Sequence, residues 1–353
     1  MLVVLVVGHE YGHLLAAKSV GMRVLEFGVG FPPKLWGKKF GETEYTINAL
    51  PFGGFVKIFG EDPTQVMSEN DAFSSKSKLA QAFVLFAGPF ANILIAFALF
   101  AMAFMVGLPA VAEEGGPALS DTSVRVAEVL PGSPAEEAGI MVGDKLFSVR
   151  FVNVETLIHT PEDFLKSIES SPQGVTLLFE RGGEMQQVPL VPRAGLIPDD
   201  PTRPVVGIAS AVIGIQSLSF FDAIVKSVTY TIQSTEAVFI GLVTLIAGAV
   251  TFSADLSGIA GPVGIASLVG DASLFGFGSI LSLAAIISIN LAIINLLPFP
   301  ALDGGRLAFL GVEAISRRKI PLQVANVLNI AGFAILILLM IAVTTNDVIR
   351  LVS

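Results

Sequence analysis

His9-Glu10-Tyr11-Gly12-His13 sets two imidazoles four residues apart, with a carboxylate beside them. On an α-helix residues i and i+4 lie about 40° apart, so both rings leave one face and can grip one ion. Glu10 is then placed to move a proton on water activated at that ion. The chain has three His and no Cys. Thiolate ligands, disulfides and Cys nucleophiles are therefore excluded, and any metal site must use His and carboxylates. The competing reading of His9–His13 is a polar patch satisfied by helix–helix hydrogen bonds. It is disfavoured, because ionisable groups crowded into an apolar span are costly without a ligand.

A catalytic zinc takes a third protein ligand and keeps a fourth position open. Asp303 is the candidate: it closes a run of 31 uncharged residues, and Pro298 and Pro300 break the helix just ahead of it. Irregular backbone at membrane depth is tolerated only where it is buried in protein or lines a cavity. From the residues alone, Asp303 is equally readable as a ligand or as a loop Asp opening the next helix.

The elements that must hold these groups lie in a membrane. Of the 353 residues, 53% are hydrophobic and 14% charged, and the mean hydropathy is +0.75; soluble domains carry roughly 25% charged residues. A net charge of −9 excludes the basic surface that nucleic acid needs. Residues 79–112, 272–302 and 320–346 are long and apolar enough to span, and Met1–Val20 is a span interrupted by its ionisable residues. The stretch 218–254 is read as an interfacial or re-entrant helical segment. The reason is charge: residues 18–78 carry 8 Lys/Arg and 306–319 carry 4. Both are cytoplasmic by the positive-inside rule only if an even number of spans separates them. The acidic segment between them, 113–227, then lies outside. Within it, Pro131–Pro134 turns the chain into a short helix near Ala135–Ala138 ended by Gly139, Thr160-Pro161 caps a second, and Val175–Glu180 pairs with Gln186–Val191 as a hairpin.

The H-E-x-x-H of His9–His13, taken with Leu302-Asp303-Gly304, resembles the site-2 protease family of intramembrane zinc metalloproteases, and within it the bacterial regulator-of-sigma-E-protease-like branch. Further matches run along almost the whole chain. They are Gly28-Val29-Gly30-Phe31-Pro32, the β-hairpin loop Tyr45–Gly60 with Pro51-Phe52-Gly53-Gly54-Phe55, the Ala87-Gly88-Pro89-Phe90-Ala91-Asn92 segment, and Ser257–Ile265. Gly132–Ala135 with Gly139–Asp144 is similar to the PDZ domain of bacterial members.

The resemblance implies Zn2+ held by His9, His13 and Asp303, with Glu10 as general base. It implies Asn295 and Pro298 as substrate or supporting contacts, and Gly53, Gly54 and Phe55 in a hairpin that pairs with an extended substrate. The expected fold class is a polytopic α-helical membrane protein of about four transmembrane helices, with a membrane-associated β-hairpin loop and one extracytoplasmic PDZ-like α+β domain. The expected divisions are 1–112, a PDZ-like domain at 113–200, a linker and interfacial segment at 201–270, and 271–353. Expected partners are single-pass transmembrane substrates such as anti-sigma factors or remnant signal peptides and the lipid bilayer, with the PDZ-like domain either binding peptide C-termini or acting as a size filter that excludes substrates with large external domains; the expected location is a bacterial inner membrane. A non-proteolytic PDZ adaptor with a structural metal is the alternative, and Glu10 speaks against it, since a structural site needs no base. A transporter would want inverted repeats, and the sequence has none.

Overall fold

The structure is a computed structural model that describes residues 1–61, 69–112, 118–152, 154–197, 200, 202–251, 260–318 and 320–352; the Ser257–Ile259 part of the motif matches lies outside them. The elements begin with α1 (Leu2–Ser19), β1 (Val24–Phe40), β2 (Thr43–Ile58) and α2 (Lys78–Val106). There follow β3 (Leu108–Val111), β4 (Ser120–Val129), α3 (Pro134–Glu137), β5 (Lys145–Phe151), β6 (Val154–Leu157), α4 (Pro161–Glu169), β7 (Val175–Arg181), β8 (Glu184–Leu190) and β9 (Ile208–Gln216). The chain closes with α5 (Phe220–Val250), α6 (Pro262–Leu274), α7 (Phe277–Leu296), α8 (Asp303–Ser316) and α9 (Leu322–Val352). Two compact units result, one of Met1–Met102, Ala223–Val269 and Leu281–Ser353, the other of Ala103–Asp222 and Gly270–Ile280.

Among the described residues, four helical stretches are long and apolar enough to cross a membrane: Lys78–Val106, Phe220–Gly248, Phe277–Leu296 and Gln323–Ile349. Helix α1 falls outside that set because His9, Glu10, His13 and Lys18 dilute its apolar residues. Helix α5, expected as an interfacial or re-entrant segment, is one unbroken helix of 31 residues, roughly 46 Å at 1.5 Å per residue. Its Tyr230 ring meets Phe100 of α2 edge-on at 5.1 Å, so α5 runs beside α2. Past Glu236 and the early one-sided apolar stripe, Phe239, Ile240, Val243 and Ile246 are all exposed apolar surface. At the other boundary, α2 stops at Val106. Gly107 turns the chain at φ +111°, and Leu108–Val111, expected inside the span, pairs instead with β9.

Strands β1 and β2 fold back on each other. Residues 24–29 lie opposite Gly54–Ile58 and also opposite Glu44–Ile47, while Lys34–Phe40 closes a hairpin on Thr43–Asn48. Gly54–Ile58 is therefore an edge, its far side bare of any strand among the described residues.

The second unit is a sheet in the order β3-β9-β4-β5-β7-β8, with β6 on β5. Its core gathers Val126, Leu146, Phe164, Leu177, Phe179 and Leu190. Ser133 caps α3, and Thr160 with Asp163 forms a capping box on α4. Asp163 accepts the His159 and Thr160 N–H groups. These hold its carboxyl below the usual range, so the cap contributes above the ordinary carboxylate pKa and is lost as pH falls through the lowered one. The domain boundary expected at residue 200 moves outward, because Ile208–Gln216 pairs with both β3 and β4. A short strand after a Pro-rich loop reads as a linker until its two partners are known.

Buried Asp144 takes two hydrogen bonds from Arg181, at 2.7 and 2.6 Å, and one from the Met141 N–H at 2.9 Å. Asp144→Ala should destabilise this domain by about 3 kcal/mol, the low end for halving a buried ion pair. Thermal unfolding of the full-length protein, followed by proteolysis within 120–216, would measure it.

Candidate metal centre

Helix α1 reaches α2 through small residues. A Cβ on Gly12 would strike the Ala87 carbonyl and the Ala91 methyl, and one on Gly8 would strike Ile95. The Ala-Gly-Pro-x-x-Asn run is the receiving surface. Gly88 lies flat under the His13 ring, where any Cβ would collide with Nε2. Pro89, with no N–H to give, loosens the turn in which Val84 and Leu85 present their carbonyls.

Asp303 arrives from a break in the helical run. The chain leaves α7 after Leu296, turns with Ala301 at φ +73°, and restarts as α8 with Asp303 in its first turn. Buried Gly304 and Gly305 make this possible, since side chains there would meet the carbonyls of Leu297 and Phe299. Asn329 of α9 holds the loop by accepting the Ala301 N–H at 3.2 Å.

These elements bring three ligand atoms together. His9 Nε2 lies 3.0 Å and His13 Nε2 3.1 Å from Asp303 Oδ2, and the two Nε2 atoms are 3.1 Å apart. Both His are buried. His13 Nδ1 lies 2.7 Å from the Val84 carbonyl; a carbonyl only accepts, so the His13 proton sits on Nδ1 and Nε2 presents a lone pair. His9 Nδ1 lies 3.3 Å from the Asn92 amide, whose Oδ1 has no hydrogen-bond partner among the described residues. Half a turn of that amide lets Oδ1 accept the Nδ1 proton and frees the Nε2 lone pair of His9 as well. Two lone pairs and a carboxylate oxygen facing one another at 3.0–3.1 Å repel unless a cation lies among them. Tetrahedral zinc with ligands at about 2.0–2.2 Å spaces its neighbours by roughly 3.3–3.5 Å, close to this triangle. His9, His13 and Asp303 are the group with metal-binding geometry among the described residues.

Glu10 is half-buried beside the triangle, with the Cα of Gly54 in β2 against it; a Cβ there would lie 3.7 Å from Glu10 Cγ. Gly53 turns the chain at φ +101°, and Phe55 lays its ring on Gly28 and stacks with Phe31 at 6.3 Å. Asn295 sits in the last turn of α7 and Pro298 in the exposed break, and neither bonds to the three ligand atoms. Asn92, quoted in a motif but given no role from sequence, touches one of the ligand side chains instead, at His9 Nδ1. A buried Asn in a charge-free span needs a partner, and that was the available signal. Asn92→Ala should weaken zinc binding by about 10- to 100-fold, the usual cost of losing a ligand's orienting hydrogen bond; competition with a chromogenic chelator would measure it.

The comparisons agree with this chemistry. The peptidase family M50 description matches residues 1–339. A Clostridium perfringens protein whose name places it provisionally among the zinc metalloproteases is 34% identical over 350 residues, 98% of this chain and 95% of that one. The zinc metalloprotease RasP of Oceanobacillus iheyensis is 30% identical over 430 residues, covering 99% and 97%. That of Geobacillus kaustophilus is 30% identical over 426 residues, covering 98% and 95%. With its H-E-x-x-H helix and its L-D-G turn meeting at one point, the chain belongs to peptidase family M50.

Proposed function

We propose that this membrane-embedded protein is a zinc endopeptidase that cuts single-pass membrane proteins within or near their transmembrane segments. The observation that carries the reading is the convergence of His9 Nε2, His13 Nε2 and Asp303 Oδ2, with lone pairs turned inward by Val84 and Asn92. Zinc, when bound, supplies a Lewis acid that polarises a carbonyl and makes water a competent nucleophile near neutral pH. Glu10 takes the proton from the attacking water on its carboxylate and returns it to the departing amide nitrogen. A helical substrate hides its carbonyls in i→i−4 bonds, so it must unwind first. The bare edge Gly54–Lys57 offers an unwound segment backbone partners directly beside Glu10. Gly53 and Gly54 keep that approach free of side chains, and Asn295 and Pro298 border the same break in α7–α8.

The same reading sets the topology. Arg306 pairs with Glu61 and Lys78 with Glu313, so the two basic segments share a side, with α2 and α7 as the two crossings between them and α5 as the interfacial segment. The positive-inside rule makes that side cytoplasmic. The Ala103–Asp222 sheet then lies outside a bacterial inner membrane, as a PDZ-like domain. Among the described residues, β9 is unpaired on the side opposite β4 from Ile208 to Ala211, and α4 borders a cavity of about 230 Å³ lined by Leu130, Phe164, Ile168 and Val206. This groove fits an extended C-terminal peptide. The test of the whole reading is metal content together with cleavage of a model single-pass peptide in lipid vesicles. Zinc without cleavage would favour the adaptor.

A further inference from the structure

The edge at Gly54–Lys57 can present a substrate to Glu10 only if it is held at a fixed distance and register from the metal ligands. Several contacts do this at the end of β2. Glu61 Oε2 accepts the Ile58 N–H at 3.3 Å, and Glu61 Oε1 accepts from Arg306 Nη1 at 2.5 Å. Arg306 stands three residues after Asp303 on α8, on the same helical face. One helical turn therefore carries both the carboxylate of the metal triangle and the cation that grips β2. From a second side, the Arg306 guanidinium lies 5.7 Å from the centre of the Phe73 ring. Phe73 N–H donates to the Phe59 carbonyl at 2.8 Å and Ser74 N–H to that of Gly60 at 3.3 Å. The Arg306 and Glu61 side chains are 35% and 19% exposed, shielded enough to exceed an ordinary surface pair. They line a cleft of about 690 Å³ whose other wall is Phe55–Ile58 itself.

We propose that Arg306, acting through Glu61, is a positioning residue that sets the register of the bound peptide against the metal centre. The proposal rests on the protease reading above. With the Ile58 N–H occupied by Glu61, an added strand finds no donor there and pairing ends at Lys57. The substrate residue opposite Gly54 then falls beside Glu10, and a single bond is cut.

The test uses the full-length protein in lipid vesicles with a model single-pass transmembrane peptide, zinc analysis, and mass spectrometry of the products. Arg306→Gln and Glu61→Gln should keep full zinc and lose about 10- to 100-fold in kcat/KM, the loss expected on breaking a hydrogen bond between charged groups. Their products should spread from one cut to neighbouring bonds. Arg306→Lys, and the exchange of Arg306→Glu with Glu61→Arg, should recover the single cut. An unchanged rate and cut site in Arg306→Gln would overturn the proposal. So would loss of zinc, or slowed cleavage at an unshifted bond that neither Arg306→Lys nor the exchange restores. A wild type that binds zinc but cuts no membrane peptide would overturn the protease reading and this one together.

Discussion

Glu10→Gln is expected to retain zinc at full stoichiometry and to lose peptide hydrolysis by about 10²- to 10⁴-fold, the range supplied by a positioned general acid–base. The amide is nearly isosteric with the carboxylate, so the packing of Glu10 against Gly54 is kept. None of the three converging ligand atoms belongs to Glu10, so the metal triangle is untouched. What disappears is, among the described residues, the one further carboxylate beside the triangle that can accept a proton from water and pass it to the leaving nitrogen. Zinc analysis and a cleavage assay on the same preparation separate the two properties. Equal hydrolysis by wild type and variant would remove Glu10 from the mechanism, and loss of zinc would make it a ligand.

The H-E-x-x-H helix was legible because its chemistry is local: His9, Glu10 and His13 lie within five residues of one helix. Asp303 was less so. It meets His9 across 294 positions, and its placement depends on Gly304 and Gly305 letting Leu297 and Phe299 pass over the first turn of α8. Before any family resemblance it read equally well as a loop residue. The caps of α3 and α4 and the β7–β8 hairpin follow from short-range turn chemistry, and the structure has them where the residues suggest. Strand β9 was misread as linker because it is defined by what it packs beside, β3 and β4. Asn92 escaped similarly, since its role exists only when α1 lies 3.3 Å away.

Asp303→Asn is expected to abolish both stoichiometric zinc and hydrolysis, and it distinguishes a ligand from a helix-opening residue. As a helix opener, Asp303 is worth about 0.3–1 kcal/mol of favourable interaction with the N-terminus of α8, and Asn there would cost a few tenths. As a ligand, it supplies the one formal negative charge among the three converging atoms, so its loss should weaken zinc binding by far more than the Asn92 substitution. The metal-free protein sharpens the contrast. Without a cation, the lone pairs of His9 and His13 face the carboxylate oxygen at 3.0 and 3.1 Å. An Asn amide in that place can donate to one of them instead. Metal-free Asp303→Asn should therefore melt no lower than the metal-free wild type, while added zinc raises the midpoint of the wild type alone. Asp271→Ala, another carboxylate flanking an apolar helix, should bind zinc and cleave as the wild type does. Full zinc in the Asp303 variant would move the third ligand elsewhere. A lower midpoint in its metal-free form, with zinc still bound, would return Asp303 to the role of a helix cap.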